Sequence, residues 1–241
     1  MPSFQDVGFR RYSQFEEDGI LLFIFSMIGE KSKKVVEICC GSGQQSMAAN
    51  LIVNHGWEGL LFDGDKALVK EAKSFYRRQA DCILKQPTIK QAWITVEGVN
   101  SLIAEEGYSG EVDLLSIDID GNDYWVWKEI NEISPRVCVI ETHNIIPSNL
   151  SLTIPYDPKF KKDNTDFHSA SLLAMTKLSK EKGYRLIGGH RYGFNAFFMR
   201  DDVGVDIFPE VSVESVHDNF FTRWSQTNRW PKVELLGWQE V

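Results

Sequence analysis

Asp118, Asp120 and Asp123 fall in LLSIDIDGNDYWVW (114–127), and Glu141 and His143 fall in VIETHN (139–144). Each stretch begins as an apolar run and turns acidic where a buried strand would end. Asp118 and Asp120 are two residues apart, so on a continuing strand they share a face. Like charges that close are costly until a proton, a cationic group or a metal neutralises them. Carboxylates so placed can take a proton from a substrate or hold an ion, and His143 is a second candidate base. Asp118, Asp120 and His143 are therefore the candidate catalytic set. Asp118, Asp120 and Glu141 are the candidate ligands of a divalent cation such as Mg2+. The spacing of Asp118, Asp120, Asn122 and Glu129 imitates a calcium loop, but its sixth position is Asp123 rather than glycine, and that reading is rejected. A D-x-D glycosyltransferase motif is too short to carry weight.

A different chemistry belongs to VVEICCGSGQQS (35–46). An apolar run entering Gly41-Ser-Gly43 and then a helix leaves backbone N–H groups free at the helix N-terminus. Asp63, at the end of the next apolar run, can accept from a ribose hydroxyl, with Asp65 as its close rival. Together these point to a nucleotide-type cofactor. Ser46 stands where the third glycine of a dinucleotide fingerprint would be, which weighs against NAD.

The elements that must position these groups follow from the apolar pattern. Runs at Val35–Cys40, Gly59–Asp63, Val112–Asp118 and Val137–Glu141 read as buried strands, with a weaker one at Ala80–Leu84. Helical patterns lie between them, around 47–54, 66–78, 96–106 and 124–130. Ser13 and Glu16 form a candidate capping box for an earlier helix over 14–28. Strands alternating with helices imply a parallel sheet covered on both faces. The pattern then changes to a helix over 169–182, ended by Gly183, and a hairpin from Tyr184–His190 and Phe194–Arg200. Residues 142–168 carry Pro147, Pro155 and Pro158 without periodicity and read as a lid-like insertion. With a helical cap at 1–33 and an extension at 201–241, the chain reads as one domain. Lys159, Lys161 and Lys162 could meet an anionic acceptor or form a solvated face; Tyr156, Phe160 and Trp224 could stack on a sugar ring or simply pack.

Composition narrows the partners. Lys and Arg total 26 against 34 Asp and Glu, a net charge of −8 that disfavours a nucleic-acid partner. The four cysteines lack C-x-x-C spacing and suit a reduced, cytoplasmic setting. The apolar stretch 21–28 is too short to span a bilayer and follows acids, so no membrane partner is expected. Asn149-Leu-Ser151 matches a glycosylation sequon by chance. A homo-oligomer is compatible with these residues, which do not specify one.

Glu37 lies four residues before Gly41 and six before Gly43, a spacing that resembles the cofactor motif of class I S-adenosylmethionine (SAM) methyltransferases, with Cys39 in the place of their first glycine. The terminal hairpin resembles the antiparallel seventh strand of their sheet. IDIDG and IETH resemble the D-x-E-G and E-x-H motifs of the FkbM-like branch, Asp120 standing for the glutamate. YSQFEEDGIL, SLLAMTKLSKEKGYRLIG and NAFFMR extend the resemblance from Tyr12 to about Arg200. It implies a Rossmann-like α/β fold with a mostly parallel seven-stranded sheet, helices on both faces and a C-terminal antiparallel hairpin. It also implies SAM as cofactor and methyl transfer to a hydroxyl of a sugar, glycan or secondary metabolite. Glu37, Gly41, Gly43 and the adjoining Ser46 would then meet the methionine part of SAM, and Asp63 or Asp65 the ribose. Gln14 and Asp18 would close the cofactor from the N-terminal helix, and Asp118 would face the reacting groups. The branch often has tyrosine and glycine where this chain has His168 and Ser169. His143 or Asp118 would be the general base. The rival readings are an NAD-linked oxidoreductase, which predicts no terminal hairpin, and a catalytically silent SAM-fold binding module.

Overall fold

The computed structural model describes residues 2–241. It divides into two compact units, Met1–Ile117 with Ile130–Cys138, and Asp118–Glu129 with Val139–Val241. The first contains helices α1 (Phe4–Val7), α2 (Glu17–Ile28), α3 (Ala49–His55), α4 (Lys66–Arg77) and α5 (Val99–Glu105). Its strands are β1 (Lys34–Ile38), β2 (Glu58–Asp63), β3 (Thr88–Gln91), β4 (Gly110–Ile117) and most of β5 (Ile133–Glu141), whose last three residues belong to the second unit. The second unit adds α6 (Asp123–Glu129), β6 (Leu152–Thr153), α7 (Leu172–Glu181), β7 (Tyr184–Gly189), β8 (Asn195–Arg200), α8 (Val213–His217), α9 (Phe220–Asn228) and β9 (Gln239–Glu240).

Among the described residues the strands form a seven-stranded sheet in the order β3-β2-β1-β4-β5-β8-β7. β1 pairs in parallel with β2 and with β4, β2 with β3, and β7 and β8 form an antiparallel hairpin. This is the sheet of the Rossmann-like class I methyltransferase fold. Val35, Val36, Ile38, Leu60, Leu61, Leu114 and Leu115 are fully buried, as strands covered on both faces require. Arg136 on β5 forms a buried ion pair with Asp113 on β4, and Asp113 also accepts from the N–H groups of Lys31, Ser32 and Lys33, fastening the turn that leads from α2 into β1. Among the described residues no helix is long and apolar enough to cross a membrane.

Three local expectations need correction. The Ser13–Glu16 capping box does not form, and the helix starts at Glu17. Asp18 instead accepts from the N–H groups of Arg11, Tyr12 and Ser13 at 2.6–2.8 Å and from the Ser13 hydroxyl, whose oxygen in turn accepts from the Asp18 N–H at 3.2 Å, so Ser13 ties the preceding turn to the first turn of α2 without being its cap residue. Ala80–Leu84 is not a strand: 80–82 make a single tight helical turn, and the strand follows at Thr88–Gln91. Ile83 and Leu84 are exposed, while β3, at the sheet edge, buries only Ile89 and leaves little apolar signal. The helix expected from Ser169 starts at Leu172, because Ser169 has φ +56° and Ser171 is the cap, accepting from the Ala174 N–H.

The segment 142–168 is anchored by the end of the chain. β6 pairs antiparallel with β9, and Leu150, Leu152 and Trp238 pack on a core of Ile145, Ile146, Trp230 and Val233.

Candidate functional site

In the first unit, β1 delivers Glu37 into the interior and then breaks into a loop. Cys39 (φ +72°), Gly41 (φ +56°) and Gly43 (φ +78°) all lie in the left-handed region, so the glycine position occupied by Cys39 does demand a glycine-like backbone. Glu37 is spent on the loop itself: it accepts from the Ser46 hydroxyl and from the N–H groups of Met47 and Ala48, just ahead of α3. Burial outweighs those bonds and pushes its carboxyl up to about 7. A Cβ at Gly43 would meet Phe75 and Tyr76 of α4 at 3.1 and 3.2 Å, whereas one at Gly41 would have nothing within 4 Å. Gly43 is thus a packing glycine and Gly41 fronts open space.

The acid that ends β2 and the one two residues beyond it do different jobs. Asp63, buried, accepts from the Gly41 N–H at 2.9 Å and the Asp65 N–H at 2.8 Å, which ties the loop to the β2 tip. Asp65, exposed, caps α4 by accepting from Ala67 and Leu68. Trp93, half-exposed, lies against Gly64, where a Cβ would come within 2.9 Å of its ring. No spacing rule singles out this tryptophan, because it approaches from the loop after β3. Gln14 is exposed, and Asp18 is buried in the first turn of α2, with its carboxylate turned to the N–H groups of the preceding turn.

The acids expected at the β4 and β5 tips meet in the second unit. Asp118, partly buried, directly follows β4. Asp120, at φ +53°, donates its backbone N–H to Glu141, and its carboxylate pairs with Lys162. Lys162 is thus already neutralised by an acid and is not free for an anionic acceptor. Burial works against its ammonium, yet the bond to Asp120 and the charges of Glu141 and Asp118 hold its pKa up. Burial, then Asp118, Asp123 and Asp120, drive Glu141 well above the usual carboxylate range. Asp123, fully buried, accepts from the N–H groups of Ile119 and Gly121, and burial still lifts it to about 6. Ser169 donates to Glu141 at 3.0 Å and lies 3.3 Å from Asp123.

His143 and His168 are both buried and stack at 4.1 Å between ring centroids. Burial and the neighbouring His168 push His143 down to about 3, and burial with Lys162 lowers His168 to about 4, so both rings are neutral near pH 7. Among the described residues two sets of ligand-capable side chains converge within 4.8 Å, Asp120 with Glu141 and His168, and His143 with Asp166 and His168, so in the first an imidazole joins the two expected acids and Asp118 is not in the set. Asp166 and Arg229 escaped the sequence reading, which named Asp123 and Ser169 but gave them no role in the site. The one local signal was Ser169 in a position where the branch often has glycine, which matches its positive φ.

No family model matches the chain, and no curated protein matches it. Solved structures similar to it include a SAM-dependent methyltransferase from Clostridium acetobutylicum, 10% identical over 75% of this chain and 89% of that one, with a TM-score of 0.46. Another is an O-methyltransferase from Bacillus cereus in complex with SAH, 14% identical over 80% and 83% of the two chains, with a TM-score of 0.47. A third is magnesium protoporphyrin IX methyltransferase from Synechocystis with bound SAM, 12% identical over 76% and 77%, with a TM-score of 0.42.

Proposed function

We propose that the chain is a SAM-dependent methyltransferase of the FkbM-like kind that methylates a hydroxyl of a sugar, glycan or secondary metabolite. The observation that carries this reading is the strand order, in which the glycine loop follows β1, an acid ends β2 and an antiparallel β7–β8 hairpin ends the sheet. Dinucleotide folds continue with parallel strands instead. The loop suits the cofactor, since Gly41 leaves room for close approach and Asp63 stands beside it as a ribose acceptor. In this reading Glu37 and Ser46 brace the loop, Asp65 caps α4, Trp93 offers a ring face to the adenine, and Gln14 closes over the cofactor while Asp18 holds the turn before it.

SAM supplies an activated methyl group, so the residues need only orient the acceptor and take its proton. His143, neutral and weakly basic, suits hydrogen bonding to the hydroxyl, and Asp118 is left as the proton acceptor. A divalent cation would be held by Asp120, Glu141 and His168, where it would lower the hydroxyl pKa; the imidazole suits a transition ion, whereas Mg2+ calls for an all-oxygen set such as Asp118, Asp120 and Glu141. Lys162 competes with it for Asp120.

Calorimetry with SAM, S-adenosylhomocysteine and NAD tests the cofactor; transfer from methyl-labelled SAM to a panel of sugar hydroxyls tests the acceptor. Binding of NAD but not SAM favours the oxidoreductase, and absence of both favours the silent module. Transfer that survives EDTA and His143→Ala unchanged removes the ion and the imidazole from the mechanism.

A further inference from the structure

The extension after residue 200 reaches the residues just before His168 and Ser169. Arg229, just past α9, grips Asp166 twice: Nε donates to one carboxylate oxygen at 3.0 Å and a terminal nitrogen to the other at 2.5 Å. A forked guanidinium–carboxylate pair fixes direction as well as distance. The Asp166 carbonyl oxygen lies 2.7 Å from His143 Nε2. A carbonyl can only accept, so Nε2 carries the proton and Nδ1 carries the lone pair. Trp238 completes the brace, edge-on to Phe167 at 4.6 Å and 6.4 Å from the His143 ring. It is held in turn by an indole hydrogen bond to the Val233 carbonyl and by the β6–β9 pairing beside it.

We propose that Arg229 and Asp166 are positioning residues that fix the tautomer and orientation of His143, with the tail from 229 to 241 as their support. The inference rests on the methyltransferase reading for its purpose, since there His143 Nδ1 receives the acceptor hydroxyl's hydrogen bond. Its geometry does not depend on that reading. The charge of Arg229 disfavours a protonated His143 ring, while its hold on the ring's orientation passes through Asp166, whose carboxylate it grips and whose carbonyl meets Nε2. Without Arg229, Asp166 is free to turn, its carbonyl drifts, and the imidazole loses the acceptor that selects its protonated nitrogen.

The test is imidazole NMR on the full chain labelled with 15N-histidine. The native protein should show His143 as a single Nε2–H tautomer with slow solvent exchange at Nε2. Arg229→Ala should speed that exchange by about tenfold or more and mix the tautomers, on the scale of other outer-shell losses at histidines. Arg229→Lys should restore part of the protection. SAM affinity by calorimetry should stay within about twofold in both variants, because Glu37, Gly41 and Asp63 take no part in these bonds. An unchanged tautomer and exchange rate in Arg229→Ala overturns the proposal; so does loss of SAM binding in that variant, which would mark Arg229 as a general support of the fold. Should Arg229→Ala fail to fold, the same spectra of Asp166→Asn decide. Failure of the native chain to bind SAM would defeat the methyltransferase reading and leave the His143 spectra to judge this one.

Discussion

At the scale of single residues, β1 and the glycine loop after it hold two groups against their intrinsic preference. Glu37 has a carboxyl raised to about 7 by burial, against 4.5 for the free group. Between those values the folded chain binds a proton that the unfolded chain releases, so stability falls as pH rises through the window and levels off above it. The span corresponds to about 3 kcal/mol. Glu37→Gln removes the titration, and the stability of the variant relative to the native chain should therefore improve by up to that amount between pH 4.5 and 8. Urea midpoints across the window measure it, and a constant difference would show that Glu37 stays ionised throughout. Cys39 is held at φ +72°, where a side chain costs about 1–2 kcal/mol. Glycine removes that strain but adds freedom to the unfolded chain, returning roughly 0.4–1 kcal/mol of it. Cys39→Gly should thus stabilise by up to about 1 kcal/mol. A lower urea midpoint would mean that the thiol's 3.6 Å contact with Asp63 outweighs the strain.

At the scale of elements, the β2–α4 corner separates two acids that the sequence left as rivals. Asp65 spends its carboxylate on the first turn of α4, and Asp65→Ala should cost about 1 kcal/mol of stability, as caps generally do, while SAM affinity holds. Asp63→Ala removes the acceptor beside Gly41 and, in the proposed reading, a charged hydrogen bond to the ribose, so calorimetry should show affinity down by about tenfold to a hundredfold. The opposite pattern would hand the ribose to Asp65. This corner also shows what the sequence could and could not reveal. β1, β2, β4 and β5 were legible because strands buried on both faces are unbroken apolar runs, and the acids that end them mark the strand tips. β3 was not, since an edge strand with one buried residue has no period to read. Asp120 and Glu141 were legible as neighbours from strand tips alone, and the Asp120 N–H does reach Glu141. The bonds that support His143 were not, because Asp166 and Arg229 are 63 residues apart and only the folded tail unites them. The same holds for β6 and β9, two residues each, whose partner choice no local pattern specifies.

At the scale of the whole molecule, the proposed cofactor binding would be linked to folding in one equilibrium. A ligand that binds only the native chain adds RT ln(1 + [L]/Kd) to its stability, about 2.7 kcal/mol at a hundredfold excess over Kd. For a chain of 241 residues each kcal/mol moves the melting midpoint by roughly 2–4 °C, so SAM or S-adenosylhomocysteine at that excess should raise Tm by about 5–10 °C. NAD at the concentration that saturates SAM should leave Tm in place. Asp63→Ala should lose most of the rise at fixed SAM, since weaker affinity shrinks the logarithm, while Asp65→Ala should melt lower on its own and keep the full increment. The increment, not the absolute Tm, is the quantity that reports the site. A chain that answers NAD and ignores SAM would have the same glycine loop and the same acid put to another cofactor. One that answers neither would leave the loop as an ordinary strand-to-helix turn braced by Glu37.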